Sequence, residues 1–91
     1  RVAKRLGIEG VLILSVEKGG PAENAGLRPT TQYRGEIILG DIITAVAGKK
    51  IRSFDDLLTE LERFRVGENV PFTIDRNGQS LEIILRLAAV N

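Results

Sequence analysis

The sequence predicts a mainly β domain with helices, an α+β fold built as a partly open β-barrel or sandwich of about five strands capped by two helices. Three observations predict it. VLILSV (Val11–Val16) and IITAV (Ile42–Val46) are apolar runs of strand length, rich in β-branched residues. Asn77-Gly78 separates two further segments of strand composition, and both positions accept the positive φ that a two-residue hairpin turn requires. Only one stretch, Phe54 to Phe64, repeats its apolar residues over several turns at the helical period.

Taken in order, the chain begins with Val2 and Leu6 spaced i, i+4, Lys4 and Arg5 between them, and Gly7 after them. Basic residues at the negative end and Gly at C′ describe a last helical turn over residues 1–7. The Leu6-Gly7-Ile8 that ends it could also be read as a loop gripping a carboxylate with backbone N–H groups. Val11–Val16 is apolar at both alternating parities, the pattern of a central strand covered on both faces. Gly19-Gly20-Pro21 breaks it, with Pro21 placed to start a short helix. Gly26 stops that helix at C′, and Leu27 folds back as its hydrophobic contact.

Arg28 to Gly35, RPTTQYRG, is polar and turn-rich and reads as a surface loop. Glu36–Leu39 is a short apolar piece, and Gly40-Asp41 turns into the strand Ile42–Val46, with Asp41 expected to hydrogen-bond within its own turn. Ala47-Gly48-Lys49 is the next turn and Ile51 the next buried residue. Ser53 followed by Asp56 opens the main helix in the manner of a capping box. Phe54, Leu57, Leu58, Leu61 and Phe64 form its apolar stripe, while Asp55, Glu60, Glu62 and Arg63 face solvent. Val66-Gly67 ends it. Val70–Arg76 and Gln79–Leu87 are the strands of the final hairpin, with Pro71 tolerated near the start of the first, and residues 88–91 form a tail.

Composition narrows the function. The 91 residues fit one domain, 1–91, and 43% of them are hydrophobic, which gives an aliphatic core lacking Trp, Met and Cys. The absence of His and Cys rules out Ser-His-Asp or Cys-His catalysis and His/Cys zinc sites within these residues. Ser15 lies in an apolar strand, Ser53 at a helix cap and Ser80 after a hairpin turn, so each serine has a structural role. Asp55-Asp56 sit where a helix dipole favours carboxylates. No catalytic residue, metal ligand or cofactor is therefore expected. Thirteen basic residues against twelve acidic ones, scattered and without an aromatic platform, do not make a nucleic-acid surface. No apolar run reaches the ~20 residues of a membrane span.

At GGPAENAGLRP, LGDIITAVAGKKI and SFDDLLTELERF, over about Gly10 to Leu87, the sequence resembles a PDZ domain. Within that family it is similar to the PDZ domains of HtrA (Deg) serine proteases, and PTTQYRGEIILGDII points to the cyanobacterial and chloroplast branch. The resemblance implies a peptide-recognition module that binds C-termini or exposed apolar segments of substrate proteins by β-augmentation. It further implies a protease domain in the same parent chain, sister subunits in an oligomer, and a periplasmic, envelope or thylakoid-lumen location. By the family's groove helix, Phe54, Leu58 and Leu61 are expected to face peptide, with Leu57 in the core. The resemblance also places residues 1–7 in a connecting helix and the carboxylate-binding loop and peptide-pairing strand upstream of Arg1.

Two other assignments compete: a PDZ domain of another envelope protease or secretion component, and an assembly domain whose apolar surfaces contact a sister subunit. An independent hydrolase is a third class. For that class the expected outcome is negative: the 91-residue chain incubated with denatured casein should release no fragments by gel analysis.

Overall fold

The structure is a computed structural model that describes residues 9–88. The helical turn expected over residues 1–7, the Leu6-Gly7-Ile8 loop and the end of the tail lie outside the described residues. In chain order the elements are β1 (Val11–Leu12), α1 (Pro21–Asn24), β2 (Thr31–Tyr33), β3 (Glu36–Ile38), β4 (Ile42–Val46), β5 (Lys49–Lys50), α2 (Phe54–Leu61), β6 (Asn69–Arg76) and β7 (Gln79–Arg86). The main sheet has five strands in the order β1-β4-β6-β7, with β5 paired to β4, and every pair is antiparallel. The expected mainly β architecture with two helices is what the described residues show.

β4 is the spine of this sheet because it pairs with three other strands. Its Ile42, Ile43 and Val46 are buried with Ile51, Leu57, Val70, Phe72, Ile74 and Leu85. β6 alternates cleanly, with Val70, Phe72 and Ile74 inside. Asn77 (φ 53°) and Gly78 (φ 83°) make the expected turn into β7. Pro71 is compatible with the sheet because it faces the β4 side, where only its carbonyl is needed: it accepts from Ala47 N–H at 2.8 Å. At the end of α1, Gly26 N–H donates to Glu23 O and Leu27 N–H to Ala22 O, both at 3.0 Å, with Gly26 at φ 92° and Leu27 buried. That is the expected Schellman stop.

Three expectations are corrected. VLILSV is not a covered central strand: β1 has two residues and lies at the end of the strand order, and Leu14 is 69% exposed. Ile13 N–H still donates to Asp41 O in register, but the ladder with β4 ends there because Ile13 O is taken by Thr30 N–H and Thr30 Oγ1 at 2.9 and 2.8 Å, and Asp41 N–H donates instead to Arg28 O at 2.9 Å. RPTTQYRG is not a plain loop. Together with the next residues it forms a hairpin, β2 against β3, turning at Arg34 (φ 51°) and Gly35 (φ 82°), with every strand residue exposed. Asp41, finally, does not bond within its own turn.

Asp41 is 1% exposed and binds three distant groups. Arg76 Nε donates to its Oδ1 and Arg76 Nη2 to its Oδ2, both at 2.8 Å, and Arg28 N–H also donates to Oδ2 at 2.8 Å. The same Arg76 Nη2 donates to Gly26 O at 2.9 Å. Gly40 beside it must be glycine, because a Cβ there would sit 2.5 Å from Arg28 O and Thr30 N. Burial pushes the Asp41 carboxyl upward, but the Arg76 hydrogen bond, the Arg28 N–H and the charges of both arginines outweigh it and hold it below its usual value of 3.8.

Removing one partner of a buried pair costs about 3–5 kcal/mol. Arg76→Ala should therefore lower stability by about 3 kcal/mol in urea unfolding at pH 7. The pH dependence has a definite sign. With the folded pKa depressed, Asp41 contributes fully above pH 3.8 and the contribution is lost as pH falls through the lower folded value.

Candidate functional site

The site predicted from sequence is built on α2, and its first turn is fixed by side chains. Ser53 is extended (φ −147°, ψ 167°) and its Oγ accepts from Asp56 N–H at 3.2 Å. Asp56 Oδ2 accepts from Arg52 N–H at 3.0 Å, one residue earlier than a standard capping box would have it. With Asp55 and Asp56 in the first turn, the carboxylates sit at the positive end of the helix.

At about 100° per residue the apolar side chains follow the order Leu57, Leu61, Phe54, Leu58 around the helix. Leu57 and Leu61, at one side of this order, are covered, and Phe54 and Leu58, at the other, are open. Leu57 is 7% exposed and belongs to the core, and Leu61 is half-buried against it. Phe54 is 60% exposed and Leu58 44%. The helix packs against β4, the strand that also pairs with β1. Of the three expected peptide-facing residues, Phe54 and Leu58 thus form one open apolar surface a turn apart, and Leu61 flanks it at the edge of the core.

This surface offers apolar contact. Among the described residues, no three His, Cys, Asp or Glu side chains are grouped to hold a metal ion. Two further apolar regions escaped sequence reasoning. The β2–β3 hairpin exposes Tyr33, Ile37 and Ile38, with the Arg34 guanidinium 5.3 Å from the centre of the Tyr33 ring. A cleft of about 580 Å³ lies between α1 and β7, where Ile84 and Arg86 meet Pro21, Ala25 and Val66. Its signal was present: Ile84 falls on the outward parity of β7, between Glu82 and Arg86.

Comparison with known proteins gives the family of the chain. A family model described as PDZ domain matches residues 2–87. The chain is 39% identical over 88 residues to Protease Do-like 8, chloroplastic, of Arabidopsis thaliana, covering 94% of this chain and 20% of that protein. It is 38% identical over 85 residues to Protease Do-like 1, chloroplastic, of the same plant, covering 92% and 19%. Serine protease Do-like HtrA of Lactobacillus helveticus is 33% identical over 78 residues, 86% of this chain and 16% of that protein. The chain thus spans about a fifth or less of the length of these curated relatives. The solution structure of GtR34C from Geobacillus thermodenitrificans superimposes with a TM-score of 0.66 at 28% identity, covering 90% of this chain and 82% of the other.

The exposure contrast on α2 makes a stability prediction. Leu57→Ala should cost about 3 kcal/mol, as for a core leucine, whereas Phe54→Ala and Leu58→Ala should each cost under about 1 kcal/mol. Urea unfolding of the three variants checks it, and equal losses would place Phe54 and Leu58 in the core.

Proposed function

The chain belongs to the PDZ domain family, and from that premise we propose that it recognises extended peptide segments on behalf of a Deg-type serine endopeptidase. Its ligands are C-termini or exposed apolar stretches of protein substrates, taken up by β-augmentation beside α2. The observation that carries this function is the paired exposure of Phe54 and Leu58 on a helix whose other stripe residues pack into the core. Two large apolar side chains a turn apart at the core boundary suit the alternate side chains of an extended ligand. Leu61 forms the floor between them and the core.

In the full parent, a pairing strand and carboxylate loop upstream of Arg1 complete the groove, the protease domain cleaves what the groove retains, and the compartment is a chloroplast lumen or cell envelope. The names of the two Arabidopsis thaliana relatives, both chloroplastic Do-like proteases, support the first of these settings. A second function, subunit assembly, is favoured by the exposed Tyr33, Ile37 and Ile38 of the hairpin.

Calorimetric titration of a chain extended upstream of Arg1 with a peptide ending in a free apolar residue should show saturable binding. Leu58→Glu should weaken it more than tenfold, about 1.4 kcal/mol or more, because it places a carboxylate beside that of the peptide. Unchanged affinity in the folded variant would move the groove to another helix face. No binding at all, together with concentration-dependent self-association by light scattering, would favour assembly.

A further inference from the structure

The cleft between α1 and β7 shares no residue with α2 or β1. Its helix wall is Pro21 and Ala25, and its other wall is Val66, Ile84, Arg86 and Leu87. Ile84 is 53% exposed and Val66 68%.

The strand wall is a sheet edge. The two-residue turn closes on the Arg76–Gln79 pair, so residues 79, 81, 83 and 85 exchange hydrogen bonds with β6. The alternate residues turn their N–H and C=O groups the other way. The bonds just beyond the strand keep this alternation: Leu87 N–H donates to Glu68 O at 2.9 Å, and Leu87 O accepts from Gly67 N–H at 2.8 Å. Ile84 and Arg86 therefore present backbone donors and acceptors on the outer side of β7. That strand ends its sheet, and among the described residues it pairs with β6 alone.

Charge selects the occupant. Among the described residues, Arg86 carries the one ionisable side chain lining the cleft, and it enters none of the ion pairs found there. Two neighbouring carboxylates are turned to the backbone: Glu23 Oε1 accepts from Gly19 N–H at 2.9 Å, and Glu68 Oε1 from Arg65 N–H at 2.6 Å. Glu82 shares the outward face of β7 but lies beyond Ile84, at the opposite end of this edge from Arg86, and does not line the cleft. A strand edge, an apolar floor and a single cation next to that edge describe a receptor for an extended apolar chain with an anionic end.

We infer that this cleft is a second peptide-binding site, separate from the α2 surface, for the free C-terminus of an apolar polypeptide segment. The ligand backbone pairs with Ile84 and Arg86, an apolar side chain rests on Val66 and Ile84, and the terminal carboxylate meets the Arg86 guanidinium.

The test uses the 91-residue chain, 15N-labelled, titrated with Ac-Gly-Ser-Thr-Val-Val-Leu as the free acid and as the C-terminal amide. The acid should shift the amide resonances of Ile84 and Arg86, and the amide form should bind about fivefold more weakly, the scale of a partly exposed charge-assisted contact. Arg86→Gln should reduce the acid to the affinity of the amide form, and Leu58→Glu should leave these shifts unchanged. Absence of shifts at Ile84 and Arg86 at millimolar peptide, equal binding of acid and amide, or loss of the shifts in Leu58→Glu would each overturn the site. Shifts confined to α2 would overturn it while leaving the function proposed for α2 standing. Shifts confined to the cleft would support it and leave the α2 function to be decided by the extended chain, whose groove includes the segment upstream of Arg1.

Discussion

The buried carboxylate of Asp41 sets the geometry on which the rest of the molecule depends. It stands at the entrance to β4, and through Arg76 it reaches both the end of β6 and the carbonyl of Gly26 behind α1. Through the N–H of Arg28 it also fixes the segment that leads into the β2–β3 hairpin. A carboxylate this deep is tolerable only when its oxygens are filled with donors, and here three N–H groups at 2.8 Å fill them. Gly40 permits the same crossing from the other side by letting two backbones approach where a Cβ would collide. The hairpin has no core of its own, so this junction is what holds its base in place.

Once β4 is anchored, its position explains the surfaces. It lies between β1 and β6, and α2 packs on it. α2 does not bury its whole apolar stripe on this sheet, so Leu57 lies in the core while Phe54 and Leu58 stay open on the same helical face. The same sheet ends at β7, where α1 lies alongside the last strand without hydrogen-bonding its outer edge over Ile84 and Arg86. Both candidate peptide surfaces thus have one origin: a small sheet with ends, flanked by helices too short to cover them.

Local chemistry was legible in the sequence, and long-range chemistry was not. Asn77-Gly78, the Gly26 stop after α1 and the Ser53 cap each act over a few residues, and each appears where its residues demand. The stripe of α2 was also legible from Phe54 to Leu61, including the assignment of Leu57 to the core, but the helix stops there with Glu62 as its C-cap, short of the expected Phe64 and Val66-Gly67. VLILSV misled because apolar residues at both parities imply cover on both faces, whereas the ladder depends on how far β4 extends, and Thr30 captures the Ile13 carbonyl. The β2–β3 hairpin was hidden because its strands bury nothing and so carry no alternating pattern, and Arg34-Gly35 is a weaker turn signal than Asn-Gly. The partners of Asp41 lie 13 and 35 residues away, beyond the reach of any local rule.

The claim that Phe54 and Leu58 form the wall of a peptide groove is tested most directly by intermolecular NOEs. The sample is the chain extended upstream of Arg1, methyl-labelled at leucine and bound to an unlabelled peptide ending in a free valine. The account predicts NOEs between the terminal valine methyls and the Leu58 methyls, with further contacts to the Phe54 ring. A bound peptide whose terminal residue shows NOEs only to residues outside α2 would contradict it.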